Sequence, residues 1–238
     1  MTQFVSMQRR ARWAVLLVGV VVSCKKETEA PAPLGKEYYP VATGTYRTFA
    51  AEDVIWDDNV ATTTQYQLRE RIEDTFTDAA GLLSYRIVRS RREKAAEEWA
   101  DDSVFVLTPT SQSLQLLRGN RRTVELVFPV REGRRWNPYA FAALDTVGRQ
   151  YQNVGKPFKA GDKEYAETLT TLDDVENNLY YLTQRKQVYA RNEGPVFRET
   201  RRFIYCDGST TGQGCQVGSG YILAGREHRE TLLESGKL

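Results

Sequence analysis

The chain has one histidine, three cysteines and two methionines in 238 residues, and these scarcities close off several chemistries. A catalytic zinc site commonly draws on two or three histidines, so a single His228 argues against one. No serine sits in a G-x-S-x-G elbow; Gly218-Ser219-Gly220 is too short and reads as a hairpin turn. There is no phosphate-binding loop and no dinucleotide fingerprint. No apolar run reaches the roughly 20 residues that a bilayer-crossing helix needs. Glycoside hydrolysis survives this screen, because it needs only two carboxylates at a suitable separation. The acid pairs Asp57-Asp58, Asp101-Asp102 and Asp173-Asp174 each adjoin an expected turn, where Asp bonds its own backbone, and are read as solvated turn residues. His228, flanked by Arg226, Glu227, Arg229 and Glu230, is expected on a solvated face. The sequence therefore assigns no catalytic residue, no metal ligand and no cofactor.

What is present begins with an address. Met1–Arg12 carries Arg9, Arg10 and Arg12 and no acid, and Trp13–Val22 (WAVLLVGVVV) is an uncharged apolar run. Its length of about ten residues suits the core of a signal peptide and is too short for an anchor. Lys25, Lys26 and Glu27 end it abruptly. Val21-Val22-Ser23-Cys24 resembles a bacterial lipobox, which implies a diacylglycerol thioether on Cys24, cleavage before it, and a further acyl chain on the freed amine. Two or more acyl chains give stable membrane anchoring where one does not. The expected organisation is a signal peptide over 1–23, lipidated Cys24 with a flexible Pro-containing tether over 24–37, and one β-rich domain over 38–238.

Loss of residues 1–23 removes three arginines and turns a formal net charge of +2 into −1, which weakens the electrostatic case for a nucleic-acid partner. The mature length suits one domain that buries about 70% of its unfolded surface. Cys206 and Cys215 remain, separated by the turn-forming DGSTTGQG, and in an extracytoplasmic compartment they are expected to form a disulfide that staples two strand ends.

Period-two alternation dominates the mature chain. In Thr64–Asp74, Tyr66, Leu68 and Ile72 share one face, with Gln65, Gln67, Arg69 and Arg71 on the other. Leu83, Tyr85 and Ile87 resume the alternation after the turn at 77–81, making a hairpin. Further strands are expected over 104–107, 114–117, 123–130, 165–172, 179–189, 196–205 and 221–230. The charged stretch Arg91–Asp102 reads either as a short surface helix or as a long hairpin tip, and Trp136–Gly148 is ambiguous. Many short strands at near-regular spacing predict an all-β fold: a curved antiparallel up-and-down sheet, a partly open barrel or sandwich, with at most one or two short helices.

The segments YYPVATGTYRTF, ELVFPVREGRRWN and VYARNEGPVFRE, the closing hairpin and the CKKE that follows the cleavage site resemble a family of uncharacterised lipoproteins from Bacteroidota. The likeness runs through nearly all the mature chain. It implies outer-membrane location, facing the periplasm or the outside, and brings no established activity.

The C-terminal strands are rich in aromatics interleaved with arginines. One reading is a surface of Tyr189, Phe197, Arg201, Phe203 and Tyr205 that stacks sugars or bases. The simpler one, which alternation alone produces, is aromatic packing with exposed arginines paired to acids on neighbouring strands. Taken together, the sequence points to a membrane-anchored envelope lipoprotein that binds or scaffolds a protein, glycan or lipid partner without catalysis. The alternatives are a carrier of lipid or lipoprotein acyl chains in an apolar half-barrel cavity, and a secreted glycan hydrolase.

Overall fold

The computed structural model describes residues 1–2, 34–142, 147–208 and 214–238. The chain divides into two units, Met1–Ala32 and Pro33–Leu238. All the secondary structure of the described residues lies in the second, while the expected signal peptide, lipobox cysteine and most of the tether lie outside the described residues.

The second unit is all-β, as the alternation predicts. Its strands are β1 (Thr45–Asp57), β2 (Val60–Thr77), β3 (Leu83–Arg92), β4 (Ala100–Pro109), β5 (Ser113–Arg118), β6 (Arg121–Val127), β7 (Arg135–Trp136), β8 (Arg149–Ala160), β9 (Lys163–Asp173), β10 (Glu176–Asn177), β11 (Tyr181–Ala190), β12 (Gly194–Tyr205) and β13 (Ile222–Lys237). Among the described residues the only helical element is a one-turn 3-10 helix at Lys36–Tyr38.

Twelve strands follow one another in the order β6-β5-β4-β3-β2-β1-β13-β12-β11-β9-β8-β7, with β10 paired to β11 off this path. Every ladder is antiparallel, and the first and last long strands, β1 and β13, pair from Thr45↔Lys237 to Asp57↔Ala224. The chain is thus two up-and-down meanders joined by their outer strands. The free edges, β6 and β7–β8, then meet at a single seam. There Val124 N–H donates to Pro138 O at 2.8 Å, Trp136 Nε1 donates to Val124 O at 3.0 Å, and the Tyr151 hydroxyl engages the Val127 backbone. The sandwich alternative does not hold: one sheet curls into a nearly closed barrel.

The charged stretch between β3 and β4 is a hairpin tip, not a helix. Trp99 anchors it, with the Arg69 and Arg92 guanidiniums 4.4 and 4.2 Å from its ring centre. Of the ambiguous segment after Trp136, residues 143–146 lie outside the described set. The expected disulfide is present: Cys206 follows β12 directly and joins Cys215 in the loop before β13, with Cα atoms 5.4 Å apart.

Two apolar clusters hold the barrel. One gathers Ile72, Ile87, Phe105, Leu107, Leu126 and Leu169 with Tyr38 and Tyr39. The other gathers Phe49, Leu68, Val188, Val196 and Leu232 with the β8–β9 residues Ala160 and Tyr165. Every strand, both clusters and the disulfide lie within Pro33–Leu238, so this unit carries a complete core of its own.

Tyr39 is also tied to the turn between β11 and β12 through Arg47. Arg47 lies over the Tyr39 ring, 5.3 Å from its centre, and donates to Pro40 O and Glu193 O. Gly194 makes that approach possible, since a Cβ there would fall 2.9 Å from the Arg47 guanidinium, and its φ of 95° suits only glycine.

Candidate binding cavity

An eight-stranded barrel is just wide enough for its own side chains to fill, and diameter grows with strand number. A twelve-stranded barrel is therefore expected to enclose space, and this one does: about 720 Å³, lined by residues from β2–β6 and β9–β13. Only the lumen can touch so many strands at once.

The lumen floor is ionic. Arg89 donates to Glu70 at 2.5 Å and Glu230 at 2.9 Å, and Arg198 donates to the same two carboxylates at 2.8 and 2.6 Å. Register explains the meeting: Glu70 faces Arg89 across β2–β3, and Arg198 faces Glu230 across β12–β13. Burial alone would raise the Glu70 pKa, but the Arg198 and Arg89 charges outweigh it and hold it at about 2. Glu230 is held well below its ordinary value by the same two cations against the same burial.

A second ionic group spans the seam. Arg149, 1% exposed, donates to Asp173 at 2.5 and 3.1 Å and to Glu125 at 3.2 Å, so β6, β8 and β9 are tied by one guanidinium. Glu125 also accepts from Thr123 at 2.6 Å and pairs with Arg185 at 3.4 Å. Burial raises its pKa, while Arg185 and Arg149 lower it by more, to about 2.

Several sequence expectations are corrected here. His228 is not on a solvated face. It lines the lumen, with Nδ1 3.0 Å from Asp53 and Nε2 3.0 Å from Glu230. Burial pulls its pKa down, but the bonds to Glu230 and Asp53 outweigh that and raise it, because imidazolium satisfies an acceptor at each nitrogen. Asp173 is not a solvated turn residue but the buried partner of Arg149, at the end of β9. Its neighbour Asp174 is exposed, as expected, and pairs with Arg135 at 2.5 Å.

The aromatic–arginine set does not assemble into one surface. Tyr189 is buried and lines the lumen beside Tyr39. Phe197, Arg201, Phe203 and Tyr205 alternate with the lumen-lining Arg198, Thr200 and Arg202 and so take the opposite face of β12. Phe197 packs on Phe158 there, and Phe203 on Trp56 and Tyr205. Arg201 pairs with Glu199 and Glu227, each at 3.1 Å.

The lumen has one apolar wall, Ile87, Phe105, Leu107 and Leu116 of β3–β5. Val147 and Val175 add apolar surface away from that wall, and most of the remaining lining is charged or polar, so the lumen is not the wholly apolar cavity of the acyl-chain carrier.

The mouth is ringed by Arg118, Arg121, Asp174, Glu176, Thr183 and Arg202. It lies at the end of β11–β12 far from their connecting turn, where Asn192 N–H meets Glu37 O at 2.8 Å and the N-terminal segment enters. Eight to ten residues of strand at about 3.3 Å each separate the two ends.

No protein-family model and no curated protein matches the chain. Among solved structures, a "putative exported protein with YmcC-like fold" from Bacteroides fragilis aligns over 84% of this chain and 98% of its own, at 9% identity and a TM-score of 0.46. A likeness that loose brings no property of the neighbour to this chain.

Proposed function

We propose that this chain is a lipid-anchored outer-membrane protein, attached through Cys24, whose barrel lumen binds a small ligand without transforming it. The observation that carries this reading is the open lumen of about 720 Å³, within the roughly 300–1,000 Å³ of small-molecule sites. Its mouth points away from the end where the N-terminal segment enters, an orientation that would leave it accessible on a tethered domain.

The chemistry of the lining supports binding over catalysis. Glu70, Glu125, Asp173 and Glu230 are each committed to buried guanidiniums, and both nitrogens of His228 are committed to carboxylates. A general base must be free to take a proton near neutral pH, and Glu70, Glu125 and Glu230 are held ionised by the guanidiniums around them. The acyl-chain carrier is less favoured, because a hydrocarbon filling the lumen would leave this ionic floor against methylene.

Native mass spectrometry on a form starting after Cys24, purified gently from an envelope fraction, tests the reading. A copurifying small molecule of defined mass supports it. A ligand-free mass from protein that also turns over an envelope glycan overturns it in favour of the hydrolase. Anchoring is tested separately: Cys24→Ala should release the protein from membranes, and unchanged retention would defeat the lipid assignment.

A further inference from the structure

The charges of the lumen pair off unequally. Glu70 and Glu230 are satisfied by Arg89 and Arg198, Glu125 and Asp173 by Arg149, Asp174 by Arg135, and Glu199 by Arg201 and Arg229. Glu176 takes a hydrogen bond from Asn178 at 3.3 Å. Among the described residues, neither Arg118 nor Arg202 has a carboxylate within ion-pair distance, and both line the lumen near its mouth.

Arg118 is held in place all the same. Its guanidinium lies 4.0 Å from the centre of the Phe105 ring, and Arg89 lies 5.1 Å from the same ring. One aromatic thus carries two cations. Arg89 is 6% exposed, and its Nε–H is a buried donor with no acceptor among the described residues. An oxygen acceptor that reached this donor would satisfy it. Burial disfavours the Arg118 charge and Arg89 and Arg198 repel it, against the pull of Glu70 and Glu230. Beside this pair stands the apolar wall of Ile87, Leu107 and Leu116.

Resting on the lumen-binding reading above, we infer that the ligand is a small amphiphilic anion: an oxyanion group seated against Arg118, with Arg202 a second cation of the same lining, and an apolar or aromatic body along Ile87, Phe105, Leu107 and Leu116. Guanidinium is the side chain suited to this, since its planar fork meets a carboxylate, sulfonate or phosphate with two parallel bonds. A neutral ligand of the same shape would leave both cations unanswered.

Two fluorescent probes with one ring skeleton separate charge from shape: 1-anilinonaphthalene-8-sulfonate, which is anionic, and N-phenyl-1-naphthylamine, which is neutral. Both would be titrated into the Pro33–Leu238 unit and its variants, with circular dichroism confirming that each is folded. The sulfonate should bind at least tenfold tighter than the amine. Arg118→Gln should abolish most of that advantage, Arg202→Gln part of it, and neither should alter binding of the neutral probe. Leu116→Trp, which fills the lumen, should weaken both. If the two probes bind equally and the arginine variants change nothing, the anion inference is overturned while lumen binding stands. If Leu116→Trp leaves both probes unaffected, or neither binds the folded unit, the lumen-binding reading itself fails.

Discussion

Tyr151 and Val127 close the barrel with a reciprocal pair of hydrogen bonds: the tyrosine hydroxyl donates to the Val127 carbonyl and accepts from the Val127 N–H, each at 2.8 Å. A side chain here does what a neighbouring strand would do, supplying both a donor and an acceptor to the edge of β6. Tyr151→Phe removes one oxygen and leaves two backbone groups without partners, at roughly 1–3 kcal/mol for the buried share of that loss. The expected result is a lower denaturation midpoint together with faster amide exchange at Val127. Unchanged exchange at that amide would show that the seam does not depend on the hydroxyl.

Arg149 extends the same closure through charge. Its replacement by methionine keeps much of the side-chain volume but strands Asp173 at the seam and leaves Glu125 with only Arg185 and Thr123, where an unpaired buried charge costs about 3–5 kcal/mol. Arg149→Met is therefore expected to unfold at much lower denaturant. Arg149→Lys should recover only part of the loss, since an ammonium cannot reproduce the two bonds to Asp173 and the third to Glu125 from one planar group. Full rescue by lysine would mean that charge alone, without the fork geometry, holds the seam.

The strand pattern was legible because one face of each strand packs on apolar neighbours. Tyr66, Leu68 and Ile72 do lie on one face of β2, and the hairpin to β3 forms as expected. The series skips position 70, and the residue there is Glu70, buried on the same face and at the centre of the lumen network. An acid in step with an apolar series was the available signal for an ionic interior. Arg89 repeats it, two residues beyond Ile87 in the series that starts at Leu83. Partners could not be read in advance, because Glu70 meets Arg198 and Arg89 meets Glu230 only after the barrel closes. His228 was misplaced for the same reason: its charged neighbours along β13 alternate faces, and the two acids that hold it include Asp53, on the opposite limb of the longest pairing in the sheet.

Because His228 is the only histidine, its ring protons give an uncrowded NMR signal. Its titration midpoint is expected above the ordinary value of 6.5, since the bonds to Glu230 and Asp53 outweigh the burial that opposes them. The stability this contributes is fully present below about pH 6.5 and is lost as pH rises through the folded-state pKa. Asp53→Asn should bring the midpoint down and flatten the fall in stability over that range. A midpoint at or below the ordinary value would contradict the two-carboxylate geometry.

The Cys206–Cys215 bridge closes a loop with a sequence separation of nine. In the chain-entropy model a loop of about ten residues is worth roughly 2.5–3 kcal/mol. Reduction, or replacement of both cysteines by serine, is expected to lower stability by an amount of that order and to loosen the loop ahead of β13. A change under about 0.5 kcal/mol would mean that packing holds the loop without the bond.

Acid should weaken the barrel from the inside. The Glu70 and Glu125 carboxyls resist the upward push of burial because guanidiniums surround them, and both sit at about 2 instead of the ordinary 4.5. Groups depressed in this way bind protons more weakly when folded, so their stabilisation is complete above about pH 4.5 and is lost as pH falls through 2. Urea midpoints measured at intervals from pH 7 to pH 2 should therefore hold steady at first and then drop below pH 4.5. Glu125→Gln begins from a lower midpoint, because Arg185 loses its carboxylate and Arg149 keeps only Asp173, yet its curve should be flatter over the same window. Parallel curves for the two proteins would show that Glu125 is not among the groups whose protonation unfolds the barrel.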